Sequence, residues 1–143
     1  MYALLKQIHN INGMLVLTVL LVAVILNLVF FLMKKPYHKL AKISALVGLI
    51  FTHLQIVLGL VLYFVSPVGF SNFSGEAMKE TTSRLYLVEH PIGMIVAAIL
   101  VTIGYKATKN MSLNNNQKYT KVLINYLLAL AIVSYLIPWF VWK

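Results

Sequence analysis

The sequence predicts an all-α protein, an integral membrane bundle of four helices, and three observations carry that expectation. First, 61% of the residues are apolar and only 10% charged, more apolar surface than a soluble chain of this size could bury. Second, the apolar residues fall in four blocks, Gly13 to Met33, Ile43 to Val65, Leu85 to Tyr105 and Val122 to Val141. Each is near the ~20 residues that cross ~30 Å of hydrocarbon. Third, the segments between them are short and polar. One transmembrane domain, residues 1–143, is expected, with spans of about 7–33, 43–65, 84–105 and 121–141.

The first block is too long for the ~7 to 15 apolar residues of a secretory signal, and it ends in Lys34 and Lys35, so it reads as a span. On a helix His9, Asn12, Gly13, Val16, Ala23 and Asn27 share one face. The second span puts Gly48, Thr52, Gln55 and Gly59 on one face; His53 lies about 200° around from Gln55.

The third span contains SRLYLVEHPIGM. A helix starting at Pro91 would leave roughly 22 Å to Tyr105, too short to cross. The helix must begin near Ser83, with Pro91 inside it removing the hydrogen bond to the Leu87 carbonyl. Tyr86, His90, Gly93, Ala97 and Gly104 then form a stripe of small residues that turns His90 into the bundle. The fourth span ends near Trp139 and Trp142, which with Tyr63 and Phe70 suit an outer aromatic belt.

The net charge of +9 does not mark a nucleic-acid protein, because the basic residues sit in loops between spans and form no soluble basic face. Lys34, Lys35, Lys39, Lys42, Lys106, Lys109, Lys118 and Lys121 share one side. Lys6, Lys79, Arg84 and Lys143 take the other, with Glu76, Glu80 and Glu89. The positive-inside rule then places both termini on the non-cytoplasmic side. The chain has no cysteine, hence no disulfide, thiolate ligand or iron–sulfur site of its own. The outer segment SPVGFSNFSGEAMKETTS reads as a surface cap or docking site, and NMSLNNNQK as a solvated linker.

Two imidazoles facing each other from different helices suit a six-coordinate haem iron, so His9 and His90 are the candidate axial ligands. The competing reading is a pair of core histidines satisfied by backbone, Gln55 or Asn12. Gln55 is an interhelical hydrogen bonder that could also contact a cofactor. Face and depth disagree about the pairing. Counted from the inner lysines, His9 and His90 differ by roughly 13 Å, and by depth alone His53 is the alternate mate. Face favours His9, since loop lysines snorkel and mark depth poorly. His38, among lysines, is expected to be solvated or near lipid phosphate, and Glu89 to reach water at the outer boundary, with a proton relay as the alternative.

The stretches HLQIVLGLVLYFVSP and SRLYLVEHPIGMIVAA resemble the glutamine helix, with its Q-x-x-L-G motif, and the following arginine-leucine and histidine helix of one half of heme A synthase. QIHNINGMLVL occupies the place of that family's first histidine helix. The likeness covers about residues 7 to 105 and extends to short four-helix proteins of Bacteroidota described as cytochrome-like. It implies haem ligands at His9 and His90, a glutamine at Gln55, and a bacterial inner membrane location. Lys6 and Asn10 stand where that family has glutamate and arginine, and the chain is one half only, so conversion of haem O to haem A is not expected and no catalytic residue is assigned.

Two function classes follow. One is a b-type haem protein with an electron-transfer or redox role, its haem between the first and third helices; the other is a haem-free accessory subunit that stabilises a larger membrane complex. The expected partners are the lipid bilayer and either such a complex or a second copy in a homodimer, with no nucleic acid.

Overall fold

The computed structural model describes residues 1–142, so Lys143, counted above in the charge split, lies outside it. Four helices long and apolar enough to cross a membrane make up the chain: α1 (Tyr2–Leu32), α2 (Lys39–Val65), α3 (Thr81–Lys109) and α4 (Asn115–Leu136). In the most apolar stretch of each, no more than 28% of the residues are buried. The remaining apolar surface faces outward, which is stable only against lipid or another apolar partner. This is a multi-pass membrane protein.

Each helix is stopped by identifiable chemistry. α1 ends where Lys34 takes a left-handed conformation (φ 54) and the Lys35 amide reaches back to the Phe30 carbonyl at 3.1 Å, closing the orphan carbonyls of the last turn. α2 is capped by His38, whose Nδ1 accepts from the Leu40 amide at 3.1 Å while its ring stacks on Phe30 at 4.2 Å. His38 is partly exposed, and its imidazole takes the place of the serine or aspartate that usually satisfies a first-turn amide. α4 begins inside the stretch expected to be a linker. There Asn114 and Gln117 form a reciprocal capping box, starting the helix at Asn115, well ahead of its apolar block at Val122. At the other end it stops at Leu136, short of the expected 141. Pro138 forces Ile137 into an extended conformation (φ −65, ψ 128), and a tight turn covers Trp139–Trp142.

α3 starts at Thr81, where the Glu80 carboxylate accepts from the Thr82 and Ser83 amides. It runs through one π-helical turn, Leu85–Glu89, before continuing as α-helix from His90 to Lys109. The disturbance expected at Pro91 takes this form, the His90 amide reaching the Leu85 carbonyl five residues back. The Leu87 carbonyl, which Pro91 cannot serve, accepts from the Tyr63 hydroxyl of α2 at 3.0 Å.

α1 packs along α2 and α4, and α3 packs along the same two helices. α1 and α3 therefore face each other across the diagonal of a square bundle. The faces read from sequence point inward: Asn12, Gly13, Val16, Ala23 and Asn27 of α1, Gly48 and Thr52 of α2, and Ala97 and Gly104 of α3 are buried. Toward the lysine-rich end the core is held by tyrosines. Tyr126 donates to the Ala45 carbonyl at 2.6 Å, Tyr119 to the Pro36 carbonyl at 2.9 Å, and Tyr37 to the Asn27 side chain at 3.1 Å. Among apolar neighbours each phenol has an acceptor, which removes the cost of burying it. The opposite end is less tightly filled, and the candidate site lies there.

Candidate functional site

His9 of α1 and His90 of α3 meet across the diagonal, their ring centroids 6.3 Å apart and their planes at 67°. Depth counted from lysines misjudged this pair. α3 runs inward past Tyr105 to Lys109, and α1 stops at Leu32, so the two histidines differ by about four residues from their helix ends, or roughly 6 Å. His53 is elsewhere. It is exposed on the outer side of α2, with Nδ1 on the Leu49 carbonyl at 2.8 Å and Nε2 3.3 Å from the Thr102 hydroxyl of α3.

The two facing imidazoles are held differently. Nδ1 of His90 lies 2.9 Å from the Leu136 carbonyl, one of the orphan acceptors left where α4 ends. A carbonyl only accepts, so Nδ1 carries the proton and Nε2 is left with its lone pair and no protein partner among the described residues. His9 is gripped by α2. The Asn12 side-chain amide donates to the Phe51 carbonyl at 3.2 Å and to Gln55 Oε1 at 2.8 Å. That fixes which way the Gln55 amide points, and its nitrogen donates to the His9 carbonyl at 3.0 Å and to His9 Nε2 at 3.2 Å. His9 Nδ1 is buried without a hydrogen-bond partner.

A cavity of about 260 Å³ opens beside the pair, lined by His9, His90, Gln55, Tyr63, Tyr86 and Lys6 among others. Ser66, Val68 and Gly69, at the end of α2 and in the loop after it, also line it. Only glycine fits at position 69, because a Cβ there would lie 2.1 Å from the Tyr63 carbonyl oxygen. A smaller cavity of about 40 Å³ touches the same two histidines from the α2–α3 side, between Ile56, Leu60, Met94 and Ile95. Glu89 stays out of the site: at the outer end of α3 it accepts from Arg84 Nε at 2.7 Å, both side chains being about 40% exposed (39% and 41%).

The donor set is too small for a bare structural metal ion. No group of three or more histidine, cysteine or acidic side chains occurs among the described residues, whereas structural zinc takes four ligands. A macrocycle that brings its own equatorial nitrogens needs only two from the protein. The ring centroids lie 6.3 Å apart, but both nitrogens of His9 face α2, Nε2 at the Gln55 amide and Nδ1 beside Gly59. The space, about 260 Å³, is smaller than the ~300–1,000 Å³ of ordinary small-molecule sites.

Of the candidates read from sequence, His9, His90 and Gln55 come together and His53 does not. Tyr63 and the Leu136 carbonyl were missed. Tyr63 follows Gly59 by one helical turn on the face already identified, and its assignment to an aromatic belt hid that. The Leu136 carbonyl is signalled only by Pro138, two residues on. No protein-family model, curated protein or solved structure matches the chain, so the likeness to heme A synthase stands on its short motifs alone.

Proposed function

We propose that this chain is a membrane-embedded b-type haem-binding protein with an electron-transfer or redox role, His9 and His90 being the axial ligands. The single observation that carries the reading is the diagonal pair of imidazoles at 6.3 Å, one of them with a free lone pair. A haem held there supplies a one-electron ferric/ferrous couple. The chain supplies the rest. His90 offers Nε2 while the Leu136 carbonyl holds its other nitrogen, an arrangement that orients a ligand imidazole and raises its basicity. Ile56 and Leu60 of α2 with Met94 and Ile95 of α3 line one side of the pair with apolar groups. With no cysteine in the sequence, attachment is non-covalent, which makes the group b-type rather than c-type.

The same proposal places both termini outside and the lysine-rich loops on the cytoplasmic side of a bacterial inner membrane, following the eight-to-four division of basic residues. The protein purified in detergent after expression with haem supply should contain close to one haem per chain by pyridine haemochrome assay. A stoichiometry near zero removes the reading.

One observation favours the second class, a haem-free accessory subunit. His53 and Thr102 form a polar pair on the exposed α2–α3 surface, deep within two spans, where contact with lipid is costly. A partner helix covering that surface would relieve the cost, and complex formation without haem would distinguish this reading.

A further inference from the structure

The loop between α1 and α2 is tied down on the start of α4, and this brings together lysines that the sequence keeps apart. The Tyr37 amide donates to the Asn115 side chain at 2.9 Å and the His38 amide to the Tyr119 hydroxyl at 3.0 Å, while that hydroxyl donates to the Pro36 carbonyl at 2.9 Å. Lys118 then lies over the Tyr37 ring, 5.9 Å from its centre, beside a loop with Lys34 and Lys35 on one flank and Lys39 on the other. We propose that this docked loop binds the phosphate of an anionic phospholipid. The inference is independent of the haem reading, which concerns the other end of the bundle, and of which side of the membrane this end faces.

Nothing in the chain neutralises these charges. Glu76, Glu80 and Glu89 are the only acids in the sequence. They belong to the opposite end, where Arg84 and Glu89 form the one ion pair among the described residues. Lys39 with Lys42 on α2, and Lys118 with Lys121 on α4, stand three residues apart, a spacing at which like charges repel on one helix face. Both pairs lie in the opening turns of their helices, with no acid in either first turn, and that is the end at which the macrodipole disfavours a cation. Lys106 and Lys109 have the same spacing but close α3, where the dipole favours them, and Lys109 rests over the Tyr105 ring at 4.9 Å. The unrelieved charge is therefore at the docked loop, and an anion from outside the chain offsets it.

Exposed apolar side chains decide which kind of anion. Leu32 and Met33 lead into the two loop lysines and Leu40 follows Lys39, all three exposed. A soluble acidic protein or free phosphate makes no use of them. A phospholipid sets its phosphate against the ammonium groups and its acyl chains against these side chains, the lysine stems spanning the boundary. Basic clusters of about four to eight residues beside a span bind anionic lipid in this way.

Electron spin resonance of chain-labelled lipids around the full-length protein in phosphatidylcholine bilayers tests this, because the immobilised fraction of label measures how strongly each lipid associates. Labelled phosphatidylglycerol should associate with the wild type about fivefold more strongly than labelled phosphatidylcholine, the worth of one lysine at an anionic surface. Lys39→Gln combined with Lys118→Gln should lose most of that preference. The charge-matched pair Lys106→Gln with Lys109→Gln should keep most of it, which separates the docked loop from a general effect of net charge. If the first pair does not fold, the wild type decides: its preference should fall as sodium chloride is raised, and sodium phosphate of equal ionic strength should do no more. Equal association of the two lipids overturns the inference and leaves an acidic protein as the partner of this end. Equal losses in the two lysine pairs overturn the assignment to the loop, and a loss specific to phosphate transfers the site to the free anion.

Discussion

The Tyr63 hydroxyl donates to the Leu87 carbonyl across 3.0 Å, serving from a neighbouring helix the acceptor that Pro91 leaves without an intrahelical partner. In hydrocarbon an unserved carbonyl is expensive, so the proline that shapes the backbone beside His90 depends on a residue of α2. Tyr63→Phe retains the ring contact with Phe70, 6.1 Å between centroids, and loses only the hydrogen bond. It should lower stability by about 0.5–1.5 kcal/mol, measured by thermal unfolding in detergent. No change would mean that water or lipid headgroups satisfy Leu87 equally well.

Gly104 marks a close contact between α3 and α4 in the buried core. A Cβ there would lie 2.9 Å from Cε1 of Tyr126, a fully buried ring whose hydroxyl is tied to Ala45. The ring cannot retreat without giving up that bond, so Gly104→Ala should destabilise the fold by about 1–3 kcal/mol. Gly75, with nothing within 4 Å of its would-be Cβ, is the control, and Gly75→Ala should be neutral in the same unfolding assay.

The entry to α3 carries a pH dependence. Hydrogen bonds from Ser83, and then from the Thr82 and Ser83 amides, hold the Glu80 carboxyl at about 2, below its ordinary 4.5. Because the folded value is the lower one, the cap is fully in place above about 4.5 and is lost as pH falls through about 2. The amide resonances of Thr82 and Ser83 should therefore titrate with a midpoint well below 4.5, and Glu80→Gln should abolish the transition. A midpoint at the ordinary carboxylate value would show that the cap does not persist in solution.

Membrane sidedness can be tested cleanly because the chain has no native cysteine. Ser74→Cys, in the exposed loop before α3, should react with an impermeant thiol reagent added to intact spheroplasts. Lys35→Cys, exposed after α1, should react only after lysis. The reverse pattern inverts the proposed orientation of both termini.

Helix faces were legible in the sequence, as were the ends of α1 and α2 within one residue, but the starts of α2 and α4 and the end of α4 were not, for a physical reason. A face is set by a repeating spacing that every turn reinforces, as with His9, Asn12, Gly13 and Val16 on α1. An end is decided by one or two hydrogen bonds of a few specific groups: Asn114 with Gln117, the His38 ring on Leu40, Pro138 after Leu136. None of these alters the apolar pattern. The same distinction runs through the site. His9, His90 and Gln55 were found because side chains carry face information. The Leu136 carbonyl was not, because a backbone acceptor becomes visible only when the packing of α4 on α3 is known. Depth failed for His53 because the lysines used as markers lie outside the hydrocarbon, at unequal distances from their helix ends.

The most direct measurement is a set of reduced-minus-oxidised absorption spectra on membranes holding equal amounts of the wild type, His90→Ala and His53→Ala proteins. The account predicts a low-spin b-type spectrum in the wild type, its loss in His90→Ala, and an unchanged spectrum in His53→Ala, whose imidazole bonds to Leu49 and Thr102 outside the cavity. A haem signal that survives His90→Ala, or that disappears with His53→Ala, would contradict the assignment of the site.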